Sequence, residues 1–339
     1  MDFYDYFSNR YRCQDFSALQ SKSELSVSTL RRVALETGLA LIAAFFLEHL
    51  FSYIMAHIAV SILGLLPESD IFWRTAVIYL YSNCATYLPK LAVFGVLFHR
   101  FKPAQHLNAK YENRLYLLPI LAVAVFTFGT WGSQVTKAVN YFLQIFFGAG
   151  EIPNVMDAIA PTELPQGIAM LISIAVIAPL AEEIIYRRLL MTPLRVLGDV
   201  PAVVLSSLIF GLMHGNFDQF CYGFFGGIIF GLTVIRYGSV KHSIALHAFH
   251  NLLVTMITYS DVLTSGNEVW AAVCTYLTRL GEFIVLLSYY GGPLIALVLI
   301  LSGTAKLEQV GGEDKYKKLR TAFCPALIVG MALALTEFM

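Results

Sequence analysis

The chain has 339 residues, of which 57% are apolar and only 14% are charged, and its formal net charge is zero. A typical soluble domain carries about 25% charged residues. No soluble fold of this size can hide so much apolar surface, so much of it is expected to face lipid. The balanced charge also leaves no basic face to neutralise phosphates, so we predict no nucleic-acid partner.

Apolar segments dominate the chain after a polar arm, residues 1–30. Nine of them follow, at roughly 33–65, 74–98, 115–135, 167–193, 201–214, 219–235, 242–260, 279–303 and 320–337. Most reach the length of about 20 residues that a helix needs to cross a bilayer, whereas 201–214 and 219–235 are short or barely long enough. The sequence therefore predicts an all-α protein, a polytopic transmembrane helical bundle of eight or nine spans.

Basic and acidic residues alternate from loop to loop between these segments. Lysine and arginine gather in the N-terminal arm and in the loops after segments two, four, six and eight. The loops between them hold mainly acids, with Arg74, Lys137 and Arg279 as exceptions. Because basic residues collect on the cytoplasmic side of a membrane, we predict a multi-pass protein of the cell membrane whose N-terminal arm is cytoplasmic.

Charged groups inside a membrane segment are costly and are kept mainly where they pair or work. The first group is EEIIYR, residues 182–187, in the segment 167–193. Glu183 and Arg187 share one helix face, in the favourable order for an ion pair, whereas Glu182 lies about 100° further round the helix. We interpret Glu183 and Arg187 as a supporting ion pair and Glu182 as the carboxylate left free for chemistry. The alternative is that all three mark a cytoplasmic helix end.

Two further polar groups occupy later segments. Phe210 precedes His214 by one helical turn, so its ring is predicted to pack beside the imidazole and support it. His247 and Asn251 have the same spacing and can both donate hydrogen bonds towards one point. An uncharged donor such as Asn251 suits the stabilisation of a developing oxyanion. A structural contact is the alternative for each group, and for His250 packing is the preferred interpretation.

The order of the motifs EEIIYR, FGLMH and HAFHN resembles the three signature motifs of the CAAX protease and bacteriocin-processing family, which includes the Ras-converting CAAX endopeptidase. Each motif is weak by itself, but three in order, one per membrane helix, form a specific signal. The resemblance covers roughly residues 165–260, which it identifies as a catalytic core of four helices. Residues 31–164 are then N-terminal transmembrane helices, and residues 261–339 are C-terminal transmembrane helices.

The resemblance implies a membrane-embedded endopeptidase, a CAAX prenyl protease-like hydrolase that cuts a peptide bond near the cytoplasmic face. By that likeness, Glu182 and His214 hold and activate a water molecule, and His247 and Asn251 stabilise the oxyanion. The implied partners are the lipid bilayer and a peptide or protein substrate that is lipidated or membrane-bound. The family that the motifs resemble is also named for bacteriocin processing, so the resemblance implies this activity as well.

Other interpretations stay open. Glu182, His214 and His247 could form a His₂Glu zinc site, but the chain has no H-E-x-x-H pattern, so we predict no cofactor. A non-enzymatic bacteriocin-immunity or membrane scaffold protein of the same family would use the motifs for binding. A secondary transporter is less favoured, because the chain lacks the paired repeats that many transporters show.

Two charged residues lie in membrane segments outside the motifs. Glu48 is within the first segment and Lys90 within the second, where an isolated charge is costly. An ion pair between them is one interpretation, and lining a substrate entry is the other.

Overall fold

The computed structural model describes residues 27–98, 117–148, 160–301 and 324–336, and within these ranges it is helical, without a strand. The helices are α1 Val27–Leu65, α2 Ile71–Phe98, α3 Leu117–Phe147, α4 Leu164–Leu194, α5 Asp199–Leu212, α6 Phe217–Tyr237, α7 Val240–Thr258, α8 Ser260–Leu263, α9 Glu268–Leu301 and α10 Pro325–Thr336. The predicted all-α bundle is confirmed. Most of the predicted N-terminal arm and the basic loops after segments two and eight lie outside the described residues.

Within the part of the chain that the structure describes, five helices are long and apolar enough to cross a membrane: Arg31–Leu65, Leu117–Phe147, Leu164–Leu194, Gln219–Tyr237 and Glu268–Gly292. Asp199–Leu212 and Pro325–Leu335 are apolar but shorter. Helices α1 and α9 expose many large apolar side chains, among them Leu50, Tyr53, Phe283 and Tyr290, as expected of surfaces covered by lipid. The chain is a membrane protein, and the count of eight or nine spans stays a prediction.

Helix α4 is irregular at two places, because Ser173–Ile177 and Glu183–Leu190 wind as π-helix. A π stretch widens the helix and is frequent at functional sites. The second stretch begins at Glu183, directly after Glu182, so the two acids lie where the helix changes pitch. The uniform turn of 3.6 residues that the sequence interpretation assumed does not hold there.

Helix α4 packs against α2, α5 and α7, while α6 packs between α3 and α5. An apolar cluster fixes part of this arrangement by joining Leu41 of α1, Phe94 of α2, Ile185 of α4 and Ile209 of α5, all of which are buried. Inside a membrane, where lipid tails are as apolar as these side chains, close van der Waals packing holds such a cluster together. The cluster joins α4 to α5, and direct packing of α7 on α4 brings the third motif helix to the same place.

Candidate active site

Two adjoining cavities lie around the motif residues. The first, called the motif cavity, has a volume of about 380 Å³ and is lined by all four predicted catalytic side chains, Glu182, His214, His247 and Asn251. The second, called the side cavity, has a volume of about 450 Å³ and is shared with α1 and α2. Glu182 and His214 line both cavities, so they lie where the two spaces meet.

Glu182 is the more accessible of the two neighbouring acids. Its side chain is 13% exposed, whereas Glu183 is fully buried. The Tyr87 hydroxyl donates a hydrogen bond of 2.7 Å to Glu182 Oε1, and Glu182 Oε2 lies 3.7 Å from His247 Nε2. One carboxylate oxygen is therefore held by a neutral donor, and the other faces an imidazole across the motif cavity.

Glu183 anchors the cluster from behind. Its Oε2 lies 3.6 Å from Arg187 Nε, so the ion pair predicted from the sequence is present. The same carboxylate also accepts a hydrogen bond from the Ser243 hydroxyl and contacts His247 Nδ1 at 3.1 Å through Oε1. Glu183 thus joins α4 to α7 and orients His247, which the i,i+4 pattern alone does not predict.

Arg187 is fully buried and surrounded by polar and aromatic groups. Its Nη1 donates to Ser206 Oγ at 3.3 Å, and its guanidinium carbon lies 5.1 Å from the centre of the Phe210 ring. A cation above an aromatic face is attracted by the ring's negative face. The carboxylate of Glu183 and the ring of Phe210 together stabilise the positive charge of Arg187 inside the protein.

The two motif histidines are oriented through Nδ1. His214 Nδ1 lies 2.9 Å from the backbone oxygen of Phe210, and His247 Nδ1 contacts Glu183. Since both partners are acceptors, Nδ1 carries the proton in each ring, and Nε2 is left as an acceptor when the ring is neutral. The predicted packing of Phe210 beside His214 is present, with ring centres 4.8 Å apart.

Local backbone geometry places His214 at the cavity. Helix α5 ends at Leu212, and Gly215 adopts a φ of 66° in the turn that follows. Glycine enters this left-handed region without steric cost, so the chain can reverse directly after His214. Asn216 then caps α6, with its side chain accepting from the Gln219 backbone N–H at 2.8 Å.

Asn251 lines the motif cavity but is engaged with the backbone. Its Nδ2 donates to the Ile174 carbonyl at 2.9 Å, in the first π stretch of α4. The sequence interpretation had His247 and Asn251 donating towards one point, whereas here the two His247 nitrogens lie towards Glu182 and Glu183. Asn251 keeps a second amide N–H, which is the donor available for an oxyanion.

His250 is buried and packs against Phe126, with ring centres 4.4 Å apart. Its Nε2 also contacts the Tyr222 hydroxyl, and both residues line the motif cavity. The packing that the sequence favoured is therefore accompanied by a hydrogen bond at the wall of the cavity, which the sequence interpretation missed.

Glu48 and Lys90 form an ion pair, one of the two interpretations given from the sequence, with Lys90 Nζ 2.7 Å from Glu48 Oε1. The Lys90 side chain is almost completely buried, and both residues line the side cavity. An ion pair and a position at a substrate entry are thus compatible, because Glu48 and Lys90 contact each other and also border the cavity beside Glu182.

The zinc alternative needs three side chains placed around one point. Among the residues that the structure describes, no group of three His, Cys, Asp or Glu side chains is arranged to hold a metal ion. The residues present therefore do not form a zinc site in this arrangement, and the absence of a cofactor stays a prediction.

The segment that carries the four motif residues is similar to known proteins. Residues 164–253 match the family model described as Type II CAAX prenyl endopeptidase Rce1-like. An uncharacterized protein of Mycoplasma capricolum subsp. capricolum is 27% identical over 166 residues, which are 44% of this chain and 47% of that protein. The chain thus spans less than half the length of this relative. No solved structure matches the chain significantly.

Proposed function

Because residues 164–253 match the family model described as Type II CAAX prenyl endopeptidase Rce1-like, we propose that this membrane protein is an intramembrane endopeptidase. The observation that supports the proposal best is the convergence of Glu182, His214, His247 and Asn251 on one cavity. Glu182 lies on α4, His214 lies in the turn after α5, and His247 and Asn251 lie one turn apart on α7. A carboxylate, two imidazoles and an amide in one enclosed space are the groups that peptide hydrolysis by activated water needs.

Glu182 is the general base in this proposal. Its carboxylate takes a proton from a water molecule as the water oxygen attacks the scissile carbonyl carbon. His214 Nε2 accepts the second hydrogen bond of that water and aims its lone pair. The proton then passes from Glu182 to the leaving amine as the carbon–nitrogen bond breaks, which restores the carboxylate. Tyr87 positions Glu182 through its hydrogen bond to Oε1.

His247 and Asn251 stabilise the oxyanion that forms. Glu182 and Glu183 carry two negative charges and Arg187 one positive charge, so a protonated His247 balances the cluster. In that form His247 donates from Nδ1 to Glu183 and has an Nε2–H near Glu182. When Glu182 takes the proton from water, this N–H is released towards the substrate oxygen, and the second Asn251 N–H adds to it.

The cavity belongs to the cytoplasmic half of the bilayer in this proposal. His247 follows Lys241 by six residues on α7, a distance of about 9 Å along a helix. Arg188 and Arg195 lie at the same end of α4 as the motif acids. Because basic residues collect on the cytoplasmic side, the N-terminal arm is cytoplasmic and water reaches the site from that side.

Gly223 offers a test of the His214 assignment. A Cβ added there would lie 3.2 Å from His214 Cε1 and 3.4 Å from Nδ1. We expect Gly223→Ala to displace the ring and lower kcat by about tenfold, since misplacing a catalytic group by less than 1 Å has effects of this order. KM and the unfolding temperature should change little. The measurement is peptide cleavage kinetics, and an unchanged kcat would contradict the role of His214.

The proposed activity is tested on purified protein in lipid nanodiscs. The probes are a set of membrane-spanning peptides, a farnesylated C-terminal CAAX peptide and the same peptide without the lipid, with products mapped by mass spectrometry. The wild type should generate new termini that the double variant His214→Ala/His247→Ala does not. Preference for the farnesylated probe would assign a lipidated substrate. Identical termini from the two proteins would favour the non-enzymatic alternative.

A further inference from the structure

Helix α6 contains four glycines, and close packing explains three of them. An added Cβ would lie 3.2 Å or less from a neighbouring side chain at Gly223, Gly227 and Gly231. Gly226 differs, because it is buried and yet the nearest atom to an added Cβ is Phe230 Cε2, at 4.0 Å. A glycine inside a helix is less favourable than alanine. At Gly226 the helix contains glycine, with its lower helix stability, although the methyl group of alanine would fit.

The space in front of Gly226 is the motif cavity, which Gly226 lines together with the four motif side chains. Val125, Phe230 and Val254 are apolar residues that line the same cavity, and Phe230 is the one nearest to Gly226. The missing side chain at Gly226 therefore widens a partly apolar space within reach of Glu182. Ligand sites are commonly of this kind, apolar with a few convergent polar groups.

We propose that the part of the motif cavity bordered by Gly226, Val125, Phe230 and Val254, called the Gly226 pocket, holds one large apolar side chain next to the scissile bond of the substrate. The absence of a side chain at Gly226 sets the size of this pocket. The inference rests on the proposed peptidase function and adds to it a specificity-determining residue. The substrate class is a peptide with leucine, phenylalanine or a residue of similar size beside the cleaved bond.

A side chain fits this pocket better than a long lipid chain. The atoms of a residue that flanks the scissile bond are within a few bonds of the carbonyl carbon, and the pocket shares one cavity with Glu182. The rest of the wall includes the polar residues Asn83, Tyr222 and His250. Peptide groups can form hydrogen bonds at such a polar wall, whereas a hydrocarbon chain cannot.

Substitution at Gly226 should change which peptides are cleaved. Gly226→Leu fills the pocket, so cleavage of peptides with leucine or phenylalanine beside the scissile bond should fall about tenfold or more, the range expected for size discrimination in an apolar pocket. Cleavage of peptides with glycine or alanine there should be retained, which also shows that the variant is folded. Gly226→Ala should give a smaller shift in the same direction and serves if the leucine variant does not fold.

Gly95→Leu is the matched control. Gly95 also lies within a long helix, α2, has no described atom within 4 Å of an added Cβ, and lines neither cavity. An equimolar mixture of peptides that differ only in the residues flanking the cleaved bond is digested by each protein, and products are quantified by mass spectrometry. The control should keep the wild-type preference. Cleavage by Gly226→Leu with wild-type preference would overturn the pocket alone, whereas a wild type that cleaves none of the peptides would overturn the peptidase function and the pocket with it.

Discussion

Glu182→Gln is expected to lower kcat for peptide cleavage by about 10²–10⁴-fold, the contribution typical of a positioned general base. Glutamine has the shape of glutamate, and its amide oxygen can still accept the hydrogen bond from Tyr87 that Oε1 accepts in the wild type. It is unable to take a proton from water. Activity should therefore fall without a matching fall in the unfolding temperature. Both are measured on wild type and variant purified in one detergent.

Glu48→Gln is the matched control for this substitution. Glu48 is also a carboxylate within the membrane helices and lines the adjoining side cavity, but its partner is Lys90. We expect its replacement to lower the unfolding temperature, because it leaves the buried Lys90 without its anion, but to change the kcat of the folded protein only a few-fold. A similar loss in both variants would contradict the assignment of Glu182, because the effect would then follow the loss of any buried carboxylate near the site.

Arg187→Met is expected to destabilise the protein strongly. The substitution leaves Glu183 fully buried without its cation, and breaking a buried pair from one side costs about 3–5 kcal/mol. Cleavage should fall as well, because Glu183 orients His247 through Nδ1. Thermal unfolding of the purified variant in detergent measures the first effect, and peptide cleavage measures the second.

The double variant Arg187→Met/Glu183→Gln separates charge from packing. Removing both members of a buried pair is often far less costly than removing one, so the double variant should unfold at a higher temperature than Arg187→Met while remaining inactive. Arg195→Met is the control: Arg195 pairs with Asp199 at 2.8 Å outside both cavities. Adding Glu183→Gln to Arg195→Met should not raise the unfolding temperature of that variant. Failure to rescue Arg187→Met would show that the ion pair is not the source of the instability.

The convergence of the four motif residues was predictable because helical spacing places side chains four residues apart on one face. That rule holds for the pair Glu183 and Arg187 and for the packing of Phe210 beside His214. The order of the motifs supplied what spacing does not, namely that α4, α5 and α7 meet. The family match over residues 164–253 confirms this resemblance.

Contacts from outside the motifs were not predictable in the same way. Tyr87 is 95 residues from Glu182, and a tyrosine in an apolar helix is an unremarkable feature of a membrane sequence. Ser243, which binds Glu183, is equally ordinary by composition. Such contacts depend on how two helices are rotated against each other, and no local periodicity in either helix records that rotation.

The ends of the apolar segments do not coincide with the ends of the helices. The sequence interpretation ended the third apolar segment at 135, whereas α3 continues through Lys137 as Leu117–Phe147. A charged residue ends an apolar run but does not end a helix, since lysine is a good helix former. Hydropathy therefore indicates where lipid can lie, and backbone propensity decides where the helix stops.

The most direct test of the account is cleavage of a membrane peptide by the purified protein in water labelled with heavy oxygen. Hydrolysis by a water molecule activated at Glu182 predicts two fragments in equal amounts, with the label in the new C-terminal carboxylate, and release of these fragments by Glu182→Gln that is slower by about 10²–10⁴-fold. An intact peptide after prolonged incubation with wild-type protein that is folded would contradict the peptidase function. Fragments produced equally by the Glu182→Gln variant would contradict its mechanism.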